Sequence, residues 1–180
     1  MAAQIGTSAA AARAHEEMYS YWAGLRRGAR LPGRGDVDPA ALKRLLPTVS
    51  LIDVRREPLD FRVRLAGTGL YSVYGREITG RMLGDIYQGP AGEYWRKELD
   101  KVVDERRPGV GVHSLAWRGA PHMSILWLRL PLAGADGRIN QVLCHDEELA
   151  SRRAELARWT SMTLRARASA SSIRSSRSRR

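Results

Sequence analysis

A glycine-punctuated segment at residues 67–87 constrains the fold of this chain more than any other feature. Five glycines divide it into pieces too short for a long helix, at positions 67, 69, 75, 80 and 84. Apolar and aromatic side chains lie between them, which predicts several short helical turns packed against a sheet. The preceding run, residues 61–65, alternates apolar side chains with arginine and predicts a strand with one solvent-facing side.

Periodicity predicts the other elements. The Asp136-Gly137 step is a strong hairpin signal between the last two strands. In chain order we predict a helix at about 11–27, a short helix at 40–46, strands at 49–54 and 61–65, helical turns within 67–87, a helix at 91–107, strands at 110–117, 122–132 and 139–145, and a helix at 147–163. This order predicts one α+β domain.

The net charge of +11 is concentrated at the ends of the chain. Residues 36–150 hold 16 basic and 16 acidic side chains, whereas residues 151–180 hold nine arginines and one glutamate. A nucleic-acid-binding domain normally carries its basic charge on the folded surface, so the domain itself does not fit that class. We divide the chain into an extension with an amphipathic helix (1–35), a domain (36–148), a C-terminal helix (149–164) and a disordered Arg/Ser tail (165–180).

Residues 61–87 resemble the strand-to-helix core of PAS domains, with Tyr74-Gly75 followed by Gly-Arg-Met-Leu-Gly-Asp-Ile at 80–86. The span 18–149 is similar to stand-alone bacterial PAS proteins of the alphaproteobacterial type. Further matching features are Trp22, Leu46-Pro47, Asp53, Arg64–Thr68 and Leu130–Leu132. The resemblance implies the α+β PAS fold, a five-stranded antiparallel sheet with short helices on one face, plus N-terminal and C-terminal helices.

What the resemblance implies for function is a cytoplasmic sensory or adaptor domain that signals through protein–protein contacts and is not an enzyme. We find no output segment of the kinase, cyclase or helix-turn-helix type, so we expect an unknown signalling protein as partner. No apolar run approaches the roughly 20 residues that a membrane span requires. The single cysteine, Cys144, fits a reducing compartment.

Cofactor signatures of the family are missing from the sequence. Residues 67–107 contain no cysteine for a flavin adduct, and residues 91–107 contain no histidine for haem. We therefore predict no cofactor and no metal. Cys144, His145 and Asp146 are consecutive, which on a strand points neighbours to opposite faces and argues against a catalytic pair.

Two other functions stay open at this stage. One is a small α+β enzyme of the NTF2-like type, whose fold also holds a polar pocket. The other is association with nucleic acid through the tail at 165–180, for which the alternative is an extension with no selected role.

The resemblance to PAS domains implies a ligand pocket between the concave face of the sheet and the short helices. Tyrosine and tryptophan suit such a site because they combine a large apolar area with a polar tip, but the same residues would also fill a core. Both interpretations stay open. The candidate pocket residues are Tyr71, Tyr74, Arg81, Tyr87, Trp95 and His113.

The second candidate surface is the sheet face that carries Met123, Ile125 and Trp127. We predict that the leading helix covers this face, either in its own subunit or exchanged in a homodimer. The helix residues assigned to this contact are Met18, Tyr21, Trp22 and Leu25.

Overall fold

In the computed structural model, residues 2–149 are described, with side chains from residue 9 onward. The helices are α1 (Ala2–Gly24), α2 (Leu70–Tyr74), α3 (Leu83–Ile86) and α4 (Gly89–Glu105). The strands are β1 (Val49–Arg55), β2 (Asp60–Ala66), β3 (Gly109–Leu115), β4 (Ala120–Ala133) and β5 (Ile139–Leu149). Short 3₁₀ turns at 34–36, 40–42 and 46–48 connect α1 to β1.

The five strands form one antiparallel sheet in the order β2-β1-β5-β4-β3. The predicted five-stranded antiparallel sheet with short helices is therefore confirmed. Strand β5 continues to Leu149, so the prediction that a helix begins at residue 147 is wrong. Glu147 and Glu148 instead pair with Leu126 and Ile125, because the 14-residue strand β4 offers them a pairing edge. Residues 150–163 of that predicted helix lie outside the described residues, as does the tail.

Glycine at 67 is required by close packing. A Cβ atom there would lie 2.1 Å from the carbonyl oxygen of Leu46, because the chain crosses the Leu46-Pro47 backbone immediately after β2. Gly75 adopts φ of +69° and ends α2 after five residues. Gly75 therefore limits α2 to a short helix, as predicted, and Gly67 lets the chain pass the Leu46-Pro47 backbone before that helix begins.

Helices cover both faces of the sheet. Helix α1 packs on β4 and β5, where Met18 and Trp22 are buried and Trp22 Nε1 donates a hydrogen bond of 3.0 Å to the Pro131 carbonyl. Helices α2, α3 and α4 pack on the opposite face, which we call the inner face, with Trp95 and Leu99 buried there. In the described part of the chain, no helix has the length and apolar character to cross a membrane.

The face assigned to α1 in the sequence analysis is corrected by the structure. Ile125 and Trp127 are fully buried, and Trp127 Nε1 donates to Tyr94 Oη of α4 at 3.0 Å, so this side of β4 is the inner face. Leu126 instead clusters with Ala11 of α1. Because both faces of β4 are buried, its two apolar stripes look alike in the sequence, and alternation alone does not tell them apart.

Candidate functional site

A buried ion pair lies at the centre of the inner face. Arg129 on β4 and Asp146 on β5 are 2% and 1% exposed, and Arg129 Nη1 donates to Asp146 Oδ1 at 2.6 Å. Burial alone would lower the pKa of Arg129, but the Asp146 carboxylate raises it above its ordinary value. The guanidinium group therefore stays charged inside the fold.

Two tyrosines complete the hydrogen bonds of this pair. Tyr74 Oη, at the end of α2, donates to Asp146 Oδ2 at 2.9 Å, and Tyr87 Oη donates to Tyr74 Oη at 3.0 Å. Burial, with the nearby Asp146 charge, raises the pKa of both phenols. Both tyrosines therefore remain neutral donors, and the chain Tyr87–Tyr74–Asp146–Arg129 links the short helices to two central strands.

Aromatic rings surround the Arg129 guanidinium group. Its Cζ atom lies 5.0 Å from the ring centre of Trp95 and 5.6 Å from that of Trp127, within cation–π range. Tyr87 stacks on Trp95 with centres 5.3 Å apart. We call Tyr74, Tyr87, Trp95, Arg129 and Asp146 the inner cluster.

Two cavities adjoin the inner cluster. An interior cavity of about 20 Å³ lies against Arg129 and Trp95, and an open cleft of about 680 Å³ lies between the short helices and the end of β3. Tyr74 and Ile86 line both, so they form the wall between cleft and interior. The cleft is lined by Tyr74, Arg76, Asp85, Ile86, Gln88, Pro90, Ala91, His113, Ser114, Ala116, Trp117 and Arg118.

The interior presents donors rather than acceptors to a ligand. Among the described residues, Arg129 Nε and Trp95 Nε1 are buried with no hydrogen-bond partner, and both residues line the interior cavity. Cys144 is buried on β5, where it pairs with Arg129 of β4. Burial raises the pKa of its thiol to about 12. A group that enters this space therefore has to accept hydrogen bonds, and Cys144 is not a reactive thiolate.

The predicted pocket residues divide into two sets. Tyr74, Tyr87, Trp95 and His113 lie together at the cleft and the inner cluster. Tyr71 and Arg81 do not, because Tyr71 points away from the buried side of α2 and is 61% exposed, while Arg81 is exposed in a turn and donates through Nε to the Glu77 carbonyl. Their assignment to the pocket was wrong.

Sequence reasoning missed Arg129 and Asp146. The available signal was an arginine inside the otherwise apolar run of residues 125–132, since a charge buried in a strand requires an opposite charge nearby.

The predicted contact of α1 also needs revision. Met18 and Trp22 are buried and Tyr21 and Leu25 half-buried against their own chain, on the face opposite Trp127. Homodimerisation stays a prediction.

A histidine pair joins α1 to the sheet. His15 of α1 and His145 of β5 are fully buried, with ring centres 4.8 Å apart. His145 Nε2 lies 2.9 Å from Thr48 Oγ1, which also bonds Glu147 Oε1 at 3.2 Å. Burial, reinforced by the Arg129 charge, lowers the pKa of His145 to about 4. Since His145 and Asp146 are consecutive, β5 contacts α1 on one face and the inner cluster on the other.

Comparison with known proteins gives one family match. A family model described as PAS domain matches residues 10–145. No curated protein matches the sequence.

Three solved structures illustrate the structural similarity. A light-oxygen-voltage domain studied with a flavin analogue is 13% identical with a TM-score of 0.51, covering 70% of this chain and 93% of that chain. The dark-state structure of the blue-light photoreceptor Aureochrome1 LOV is 14% identical with a TM-score of 0.50, covering 71% and 92%. The PAS domain of a protein from Colwellia psychrerythraea is 11% identical with a TM-score of 0.49, covering 64% and 100%. At these identities the first two show the fold alone.

Proposed function

This chain belongs to the PAS domain family, a family of sensory domains, and we propose on that premise that it is a cytoplasmic, non-enzymatic sensory module. A small ligand binds in the cleft and alters how the domain contacts a protein partner. The observation that carries the proposal is the position of Tyr74, which lines the cleft and donates to Asp146 at the centre of the sheet. A ligand that displaces the Tyr74 hydroxyl therefore changes the bonding of β5.

The lining of the cleft favours a flat molecule with an acceptor or anionic group. Trp117 and His113 offer aromatic surfaces, and Arg76 uses Nη2 for the Asp85 and Ile86 carbonyls, which leaves its other N–H groups for a ligand. Arg118 also lines the cleft but is paired with Glu148. Such a ligand would stack on the rings and place its acceptor group toward the arginine.

A flavin or haem does not fit the interior of this fold. The space between the sheet and the short helices measures about 20 Å³, enough for about one water molecule, because the aromatic residues of the inner cluster fill it. Cys144 lies buried on β5 and not on the short helices. We therefore propose a ligand held in the open cleft and no resident cofactor.

Native mass spectrometry of the freshly purified full chain tests this function. We expect a species heavier than the bare chain, which loses the added mass on denaturation, and the same spectrum reports the number of subunits. Replacing Ser114, which lines the cleft, with tryptophan should abolish the added mass by placing an indole ring in the ligand's position.

The matched control is Ser72→Trp, at an exposed position of α2 that does not line the cleft, which should retain the added mass. A wild-type chain that carries no added mass would contradict the proposal. So would an added mass that survives Ser114→Trp. Hydrogen exchange with and without the ligand should show a change in the α1 amides, since β5 links Tyr74 to that helix.

A further inference from the structure

One end of the sheet, at the β4–β5 hairpin (residues 134–138), gathers arginines from four separate parts of the chain. All are solvent-exposed. We call this set the arginine pole, and its members are Arg27, Arg30, Arg34, Arg56, Arg106 and Arg138.

Specific contacts hold these segments on the hairpin. Arg106 Nη1 donates to the Gly137 carbonyl at 2.6 Å, and Arg56 Nη2 donates to the Ile139 carbonyl at 2.8 Å. The loop that carries Arg27, Arg30 and Arg34 is tied to the same end by the Ala133 amide, which donates to the Pro32 carbonyl at 2.9 Å. Each anchored guanidinium group uses one nitrogen in this way and keeps its other donors for a partner.

Acidic side chains neutralise the pole only in part. Asp36 lies 4.0 Å from Arg27 and Asp136 lies 3.9 Å from Arg138, both too long for hydrogen bonds. Chain neighbours add two exposed glutamates, Glu57 and Glu105, and three exposed arginines, Arg26, Arg55 and Arg107. The pole therefore remains positive, with acidic residues interspersed.

This composition selects among anionic partners. Nucleic acid is best held by continuous basic surface. The surface around the pole is not continuous in charge, because Asp36, Asp136, Glu57 and Glu105 lie among the arginines. Guanidinium groups bind carboxylates in a two-point geometry that lysine does not offer. We propose that the arginine pole is the docking surface for an acidic, Asp/Glu-rich segment of a protein partner. The inference rests on the proposed function in taking the chain to act through protein contact.

Fluorescence anisotropy of the full chain with a labelled polyglutamate peptide of about 16 residues tests this surface. The triple variant Arg34→Gln/Arg56→Gln/Arg106→Gln should weaken binding about tenfold or more at low salt, because it removes three positioned charges. A matched triple variant, Arg62→Gln/Arg81→Gln/Lys97→Gln, removes three exposed charges elsewhere and should weaken binding about twofold or less. Both variants keep residues 151–180, so any binding by those residues is common to both.

Two results would overturn the proposal. Equal weakening by both triple variants would show that the peptide senses overall charge and not the pole. Duplex DNA binding more tightly than the peptide at the same salt, and lost in the pole variant, would assign the surface to nucleic acid. Ser114→Trp blocks the cleft and leaves the pole unchanged. Ligand retention therefore tests the proposed function, and peptide binding tests the arginine pole separately.

Discussion

Replacing Asp146 with alanine is expected to lower the free energy of unfolding by about 3–5 kcal/mol. The substitution leaves the Arg129 charge buried without its partner, and it also removes the acceptor of the Tyr74 hydroxyl. The cost of an uncompensated buried charge exceeds the loss of one hydrogen bond, which explains the size of the effect. Urea denaturation followed by circular dichroism measures it directly.

Two variants separate this explanation from general damage to the core. The double substitution Arg129→Met/Asp146→Leu removes both charges and should recover most of the lost stability, because apolar residues of similar volume often replace a buried pair at little cost. Asp53→Ala is the more exposed control. Asp53 accepts from Gln141 Nε2 at 2.8 Å and lies 3.5 Å from Arg64, whose side chain is 60% exposed, so its loss should cost about 1 kcal/mol. A double variant no more stable than Asp146→Ala alone would contradict the buried-charge explanation.

The sequence was sufficient to predict the architecture because the signals are local. The glycines of segment 67–87, the alternation of residues 61–65 and the Asp136-Gly137 turn each act within a few residues, and each element they predict is present. The prediction that a helix begins at residue 147 was wrong because β4 is long enough to pair with Glu147 and Glu148. That partner lies elsewhere in the chain, so no local pattern reveals it.

The inner cluster was only half predictable. Tyr74, Tyr87 and Trp95 were expected together from the pocket position that the resemblance to PAS domains implies. Arg129 and Asp146 were not, because their meeting depends on the β4–β5 register, which places Trp127 opposite Asp146. That register includes an irregularity between Leu132 and Ala133 next to the hairpin, and a shift of one residue would move each side chain to the other face.

Acidification should weaken the fold through His145, with α1 affected first. Burial lowers the pKa of His145 from 6.5 to about 4, so the unfolded chain takes up its proton more readily than the folded one. This contribution to stability is fully present above about pH 6.5 and is lost as the pH falls toward 4. The difference corresponds to about 3 kcal/mol for His145 alone. His15 acts in the same direction, since burial and the neighbouring His145 lower its pKa as well.

Other ionisable groups also titrate between pH 7 and pH 4. We therefore compare the pH dependence of the free energy of unfolding in the wild type with that in single variants. Burial raises the pKa of Glu147, which gives it the opposite sign to His145 and partly offsets the loss. His145→Gln keeps a side chain able to hydrogen-bond Thr48 but takes up no proton, so its stability should fall by about 3 kcal/mol less than that of the wild type between pH 7 and pH 4. His122→Gln, at an exposed position of β4 outside the His15–His145 contact, is the matched control. Hydrogen exchange at pH 5 should rise in α1 before β1, because the His15–His145 contact joins that helix to the sheet. Equal pH dependence in the wild type and His145→Gln would assign the acid sensitivity to the carboxylates instead.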